Sequence, residues 1–293
     1  MTMNTLRLYQ LGMAILPRVP KSMLYVLCDC AGIVTFAIPT VRRNVADNLR
    51  HVMPHASGFK RWWDGYRVVS YVMRHYAETL RLPTTSGDEL IQRIETSGME
   101  HLEQLAETGG LLIVPHMGSF SLALASLSAR GFQMVLVVEK VEPPEVLELV
   151  TKLRESHGAQ LITLGPHAAR AMLKALRSKK IIALAGDRDL TNQSIETLFF
   201  GAPAAVPVGP ARLALRKIPV ASGFVGWYGA NQPFFRVDPV RFYEKLPHES
   251  DDQAVQRVAQ LMIHDLEGYI RQFPKSWGVL QRVWEDKDRG QRA

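Results

Sequence analysis

Two stretches of this 293-residue chain carry reactive side chains to the ends of short aliphatic runs. In Gly109-Gly110-Leu-Leu-Ile-Val-Pro115-His116 an apolar strand delivers an imidazole to a turn, Met117-Gly118-Ser119, that opens a helix. An imidazole there can act near neutral pH as a general base, and backbone N–H groups at the helix start can stabilise a developing oxyanion. A histidine that caps the turn is the other reading of the same residues. The second stretch, Lys179-Lys180-Ile-Ile-Ala-Leu-Ala-Gly186-Asp187-Arg188-Asp189, ends in two carboxylates and a guanidinium. That set suits gripping a polar or phosphorylated group, and Asp–Arg pairing that ties loops together fits it equally. No histidine stands near it in sequence, so no metal is expected.

A frame must hold these groups. Leu111–Val114, Met134–Val138, Leu161–Leu164 and Ile181–Ala185 read as buried strands, with helical stretches at 121–130, 145–157 and 168–177 between them. This alternation predicts an α/β fold with a mostly parallel central sheet flanked by helices. Ligands of such sheets sit outside the carboxyl ends of the strands, where both reactive stretches end. Val220–Trp227 and Phe234–Val237 read as a hairpin or edge pair, and a helix over 251–273 follows.

Composition narrows the class. With 47% hydrophobic and 22% charged residues the chain is neither disordered, collagen-like nor a polytopic transporter. The net charge of +7 is local: residues 1–82 hold 11 Lys/Arg against 4 Asp/Glu. The apolar run Leu8–Leu16 lacks a cleavage site, and no processing is expected. The run Met23–Thr40 is about long enough to span a bilayer, but it contains Asp29 and Pro39 and is followed by Arg42 and Arg43. A hairpin lying in the interface is favoured over a span, and a buried amphipathic helix is the third option. Phe59–Leu82 interleaves Trp62, Trp63, Tyr66, Tyr71 and Tyr76 with Lys60, Arg61, Arg67, Arg74 and Arg81, a mix that settles at headgroup level. The expected plan is an N-terminal helical membrane-associating layer over 1–83, an α/β core over 84–285 and a polar tail over 286–293. A nucleic-acid partner is not expected, because no reading module is present. Cys28 and Cys30 suggest reduced, buried thiols rather than a disulfide framework or zinc site.

Several blocks resemble the lysophospholipid acyltransferase superfamily, in the branch of the late lipid A and phosphatidylinositol mannoside acyltransferases. They are Arg42-Arg43-Asn44 with Asn48-Leu49-Arg50, Pro115-His116-Met117-Gly118-Ser119-Phe120, Gly186-Asp187-Arg188-Asp189-Leu190, Glu196 with Phe199-Phe200-Gly201, and Gly209-Pro210-Ala211-Arg212-Leu213-Ala214-Leu215. The resemblance covers nearly the whole chain. It implies an O-acyltransferase at the cytoplasmic face of the inner membrane, peripheral or monotopic. Its acyl group would pass from acyl-CoA or acyl carrier protein to a hydroxyl of a membrane glycolipid or lysophospholipid, without a cofactor or metal and without a covalent acyl-enzyme. His116 is implied as the base, Glu196 as a second catalytic acid, and Glu139 and Arg154 as site residues at the mannoside branch's spacing. Asp187, Arg188 and Ser121 complete the expected substrate-contacting set.

One position departs from the family pattern, a histidine followed five residues later by a carboxylate: here that residue is Ser121. A serine can orient an imidazole but supplies no charge, and loss of such a carboxylate costs about four orders of magnitude in a serine protease. Three expectations follow: Glu139 or Glu196 pairs with His116, catalysis is slow, or the chain is a silent lipid-binding protein. Thioester hydrolysis with water as acceptor is the expected side reaction.

Overall fold

The computed structural model describes residues 2–139, 144–189, 193–229 and 231–284, so the tail expected at 286–293 lies outside it. Five helices come first: α1 (Thr2–Ile15), α2 (Lys21–Ala37), α3 (Pro39–Val52), α4 (Gly58–Arg81) and α5 (Gly87–Arg93). Pro39 opens α3, where its missing N–H costs nothing, and holds the preceding Ile38 extended. The axes of α2 and α3 therefore meet at 95°. The apolar run expected over 23–40 is thus broken at Pro39. Among the described residues no single helix is long and apolar enough to cross a membrane, although this bent pair passes that test jointly.

Ser57 caps α4, its hydroxyl accepting the Lys60 N–H at 3.1 Å. One face of α4 buries Val68, Val69 and Val72, each contributing about 1.5–3 kcal/mol if fully withdrawn from water. The aromatic and basic mix of this helix divides: Phe59, Trp62, Trp63 and Tyr76 are exposed, while Tyr71 and Arg74 are buried. Helices α2 and α4 approach closely at Gly32, where a Cβ would come within 2.6 Å of Ser70 Oγ and 3.0 Å of Ser70 Cα. Their contact is also ionic. Asp29 accepts Arg74 Nη2 at 2.7 Å, Arg74 Nε at 3.1 Å and Arg67 Nη1 at 3.1 Å. The Arg74 guanidinium stands 4.7 Å from the Tyr25 ring centroid. The aspartate inside the apolar run is therefore the counter-ion of a buried arginine.

The core continues with β1 (Glu95–Ser97), α6 (Met99–Thr108), β2 (Gly110–Val114), α7 (Phe120–Ala129), β3 (Met134–Val138), α8 (Pro144–Glu155), β4 (Gln160–Thr163), α9 (Ala168–Arg177) and β5 (Ile181–Ala185). It ends with β6 (Ser194–Phe199), β7 (Ala202–Pro207), α10 (Gly209–Ala214), β8 (Val220–Tyr228), β9 (Gln232–Val237) and α11 (Asp251–Gln272). Seven strands form one sheet in the order β1-β9-β8-β2-β5-β3-β4, in which only β8 and β9 run antiparallel. The expected mostly parallel α/β sheet and the β8–β9 pair are both present. The antiparallel hairpin β6–β7 and the short strand β1 were not anticipated.

Side chains alternate across the sheet as a pleat requires. Leu111, Ile113, Ile182, Leu184, Val220 and Phe224 belong to one apolar cluster with Ala211 and Leu266. Leu112, Ile181, Ala183, Ala221 and Val225 belong to the other with Leu105 and Leu124. Both faces are covered, so the strands read as continuous apolar runs. The N-terminal layer joins this core where Leu24, Tyr25, Cys28 and Tyr71 meet Trp227 of β8.

Replacing Asp29 with Ala removes the carboxylate that answers the buried Arg74 charge. The expected loss is about 3 kcal/mol, the low end for a buried pair because Asp29 is itself 26% exposed. It is read as a fall in urea midpoint at unchanged slope; an unmoved midpoint would show that the pair does not join the helices.

Candidate active site

Strands β2 and β5 are adjacent and parallel, with Val114 opposite Ala185. Gly186 N–H donates to the Val114 carbonyl at 3.0 Å and extends the ladder one step. The residues two beyond this register pair, His116 and Asp187, leave the carboxyl edge side by side. His116 Nδ1 lies 2.6 Å from Asp187 Oδ1. Asp187 Oδ2 accepts the His116 backbone N–H at 3.1 Å and the Trp277 indole N–H at 2.8 Å. The carboxyl is fully buried, whereas 26% of the His116 side chain reaches solvent.

A carboxylate only accepts, so this contact places the imidazole proton on Nδ1 and leaves Nε2 with its lone pair. Burial by itself would raise the Asp187 pKa. The His116 charge and the hydrogen bonds from the His116 ring, Trp277 and the His116 backbone outweigh it and hold the carboxyl below its ordinary value. The pair is an oriented imidazole with a fixed negative charge behind it, the arrangement of a general base.

The turn between β2 and α7 is clamped by the chain's C-terminal segment. Gly118 N–H donates to the Ser276 carbonyl at 2.8 Å, Gly278 N–H donates to the His116 carbonyl at 2.8 Å, and Met117 bridges Trp277. Gly118 has φ +56°, and a Cβ there would lie 2.7 Å from the Val225 carbonyl oxygen, so only glycine fits. Met117 N–H donates to Pro115 O at 2.7 Å. The N–H groups of Met117 and Gly118 are therefore engaged by the protein and do not face a ligand. The segment is in turn held by the N-terminal block. Asn48 Nδ2 donates to the carbonyls of Val279 and Gln281, its Oδ1 accepts Val283 N–H, and Asn44 donates to Leu280 O.

Ser121 does not face His116. It is buried, and its hydroxyl accepts Arg154 Nε at 3.2 Å. The Arg154 guanidinium stands 5.0 Å from the Phe120 ring centroid, and the buried His75 imidazole stacks on that ring at 4.3 Å. Burial first, and then the charges of Arg154 and His116, push the His75 pKa down to about 3 and keep it neutral. Burial also lowers the Arg154 pKa. No carboxylate pairs with Arg154 among the described residues.

The structure thus joins His116 with Asp187, and Ser121 with Arg154. The carboxylate at His116 comes from Asp187, not from Glu139 or Glu196, the two acids expected there. Glu139 directly follows β3 at the same sheet edge and is half-buried. Glu196 lies exposed on β6, its backbone carbonyl accepting Gln256 Nε2 at 2.6 Å. Asp187 itself is sealed behind the imidazole rather than open to a substrate, and Arg188 hydrogen-bonds the Gln281 side chain. Trp277, His75 and the Asn44–Asn48 clasp were not anticipated. For Asp187 the available signal was that two strands of equal length end two residues before a histidine and an aspartate. Among the described residues no group of three or more His, Cys, Asp or Glu side chains gathers as a metal site would require.

The chain is 28% identical over 218 residues to a phosphatidylinositol mannoside acyltransferase of Mycobacterium tuberculosis (strain CDC 1551 / Oshkosh), a match covering 72% of this chain and 67% of the relative. It is 26% identical over 216 residues to a protein of the same name from Mycolicibacterium smegmatis, covering 72% and 69%. The profile of the bacterial lipid A biosynthesis acyltransferases matches residues 2–286, so the chain belongs to that family and is an O-acyltransferase.

Proposed function

We propose that this acyltransferase moves a fatty acyl group from acyl-CoA or acyl carrier protein to a hydroxyl of a membrane glycolipid or lysophospholipid, with His116 as general base. The observation that carries the reading is the 2.6 Å contact of His116 Nδ1 with the buried Asp187 carboxylate. It leaves Nε2 to take the acceptor's O–H proton as that oxygen attacks the thioester carbonyl carbon. The C–O bond forms, the C–S bond breaks, and the departing thiolate takes the proton from His116, so the imidazole is restored without a covalent acyl-enzyme. A thiolate leaves readily, and the protein supplies mainly proximity and an activated alcohol. The ground for a silent binding protein was the neutral Ser121, and Asp187 removes it by providing the missing charge from another strand.

Arg154 supports an anionic headgroup or phosphate near this base. A half-buried guanidinium whose neighbours are a hydroxyl and an aromatic ring keeps charge for an anion to answer. Glu139, half-buried at the same edge, is assigned to the acceptor's polar face. The exposed position of Glu196 on β6 suits a contact with a large headgroup better than proton transfer.

Residues 1–83 are assigned to the cytoplasmic surface of the inner membrane. Met23, Val26, Leu27, Ile33 and Val34 are exposed along α2, Ile38 at the bend after it, Leu11 and Ile15 along α1, and Phe59, Trp62 and Trp63 at the start of α4. Exposed Arg42 and Arg43 stand beside them. Apolar side chains with adjacent cations bind anionic interfaces, each cation adding about 1 kcal/mol.

Three outcomes test this reading. Transfer of labelled palmitate from palmitoyl-CoA to a lipid extract falls to background in His116→Ala and by about three to four orders of magnitude in Asp187→Asn; undiminished transfer in His116→Ala would remove the assigned base. Ser121→Asp does not raise transfer, because the new carboxylate meets Arg154 rather than His116. In flotation assays the protein binds vesicles containing anionic phospholipid, and Phe59→Ser with Trp62→Ser weakens binding several-fold; equal binding by the variant would refute the assigned surface.

A further inference from the structure

The geometry assigns Trp277 as a positioning residue of the reaction, acting on His116 through Asp187. The inference rests on His116 being the base. Asp187 has two oxygens and three N–H donors among the described residues, and two of those donors, the Nδ1–H and the backbone N–H, belong to His116. They tie the carboxylate to the residue it must orient. Among the described residues, only the indole N–H of Trp277, 2.8 Å from Oδ2, anchors the carboxylate to a part of the fold outside His116. Its indole is 2% exposed and packs edge-on against Phe199, with ring centroids 5.9 Å apart, so the donor has no freedom to swing away.

The anchor itself is built from both ends of the chain. Gly278 N–H and the Ser276 carbonyl grip the two sides of the catalytic turn, and Asn48 of α3 fastens residues 279–283 with three hydrogen bonds. This gives a physical task to the Asn44 and Asn48 block, which lies far from the base in sequence and touches neither member of the pair. A donor on Oδ2 keeps Oδ1 turned to the imidazole and favours the ionised carboxylate. Without it Asp187 becomes more basic and less fixed. The imidazolium is then stabilised more strongly, and its Nε2 proton is presented less exactly to the departing thiolate.

Trp277→Phe keeps a ring and removes the donor. As with outer-shell partners of other oriented histidines, we expect kcat to fall about 10- to 100-fold. The acceptor KM is expected to stay within about twofold, because the lost interaction acts in the transition state. The acid limb of the kcat–pH profile moves to higher pH, since the unanchored carboxylate raises the affinity of His116 for its proton. Site-specific replacement of the same indole by benzothienylalanine, whose sulfur takes the place of the N–H in a ring of the same shape, gives the second variant should Phe not fold. Near-normal kcat, or a uniform loss at every pH with no movement of the limb, would overturn the inference and mark Trp277 as packing only. The two readings fail separately: full transfer by His116→Ala removes the base, whereas a dead His116→Ala beside an unshifted Trp277 profile removes only the anchor.

Discussion

Water stabilises an ionised carboxylate so strongly that a protein burying one must replace that solvation or lose the charge. Asp187 is withdrawn completely from solvent and stays anionic because three N–H groups surround it. Much of the site's construction follows from that requirement. Strands β2 and β5 must be neighbours in register, the turn after β2 must carry its backbone N–H back over the carboxylate, and a third donor must arrive from outside the sheet. The C-terminal segment brings that donor, and the α3 asparagines hold the segment. One buried charge thus ties together residues from 44 to 283.

The individual strands were readable because each is a short aliphatic run between helices, and each reactive residue stands where such a run stops. The pairing of those residues was not readable. Between β2 and β5 the chain makes β3 and β4, and the sheet places both beyond β5. Periodicity reports which residues face a core but not which strand lies alongside. The expectation therefore looked for the acid five residues on, or at Glu139 and Glu196, rather than across the sheet. Pro203 and Pro207 break up the apolar pattern of β7, and β1 has three residues, so neither gave a strand signal. Asp29 and Pro39 marked the 23–40 run as a poor span, but composition does not register the 95° angle that Pro39 permits.

Two arginines, Arg74 buried and Arg154 half-buried, differ in how their charge is answered. Arg74 is 2% exposed and is answered by Asp29 through three hydrogen bonds, with Asn231 Oδ1 accepting from Nη1 and the Tyr25 ring close by. Its charge is consumed in joining α2 to α4. Arg154 meets a hydroxyl and an aromatic ring instead. The neighbouring His75, held neutral, adds no second cation to that corner and gives up no charge to neutralise it. A guanidinium so placed keeps an attraction for anions that Arg74 has already satisfied.

The serine at 121 and the aspartate at 187 are then two halves of one arrangement. Position 121 sits in the first turn of α7 within hydrogen-bonding distance of Arg154, so a carboxylate there would form an ion pair with the guanidinium and cancel the charge that seeks an anion. With serine, Arg154 is oriented but not neutralised. The carboxylate beside His116 comes instead from the end of β5, where its oxygens are taken up by three N–H donors. With the acid on the strand rather than the helix, the carboxylate contacts His116 and the guanidinium contacts the serine hydroxyl, so the two charges do not form a pair with each other.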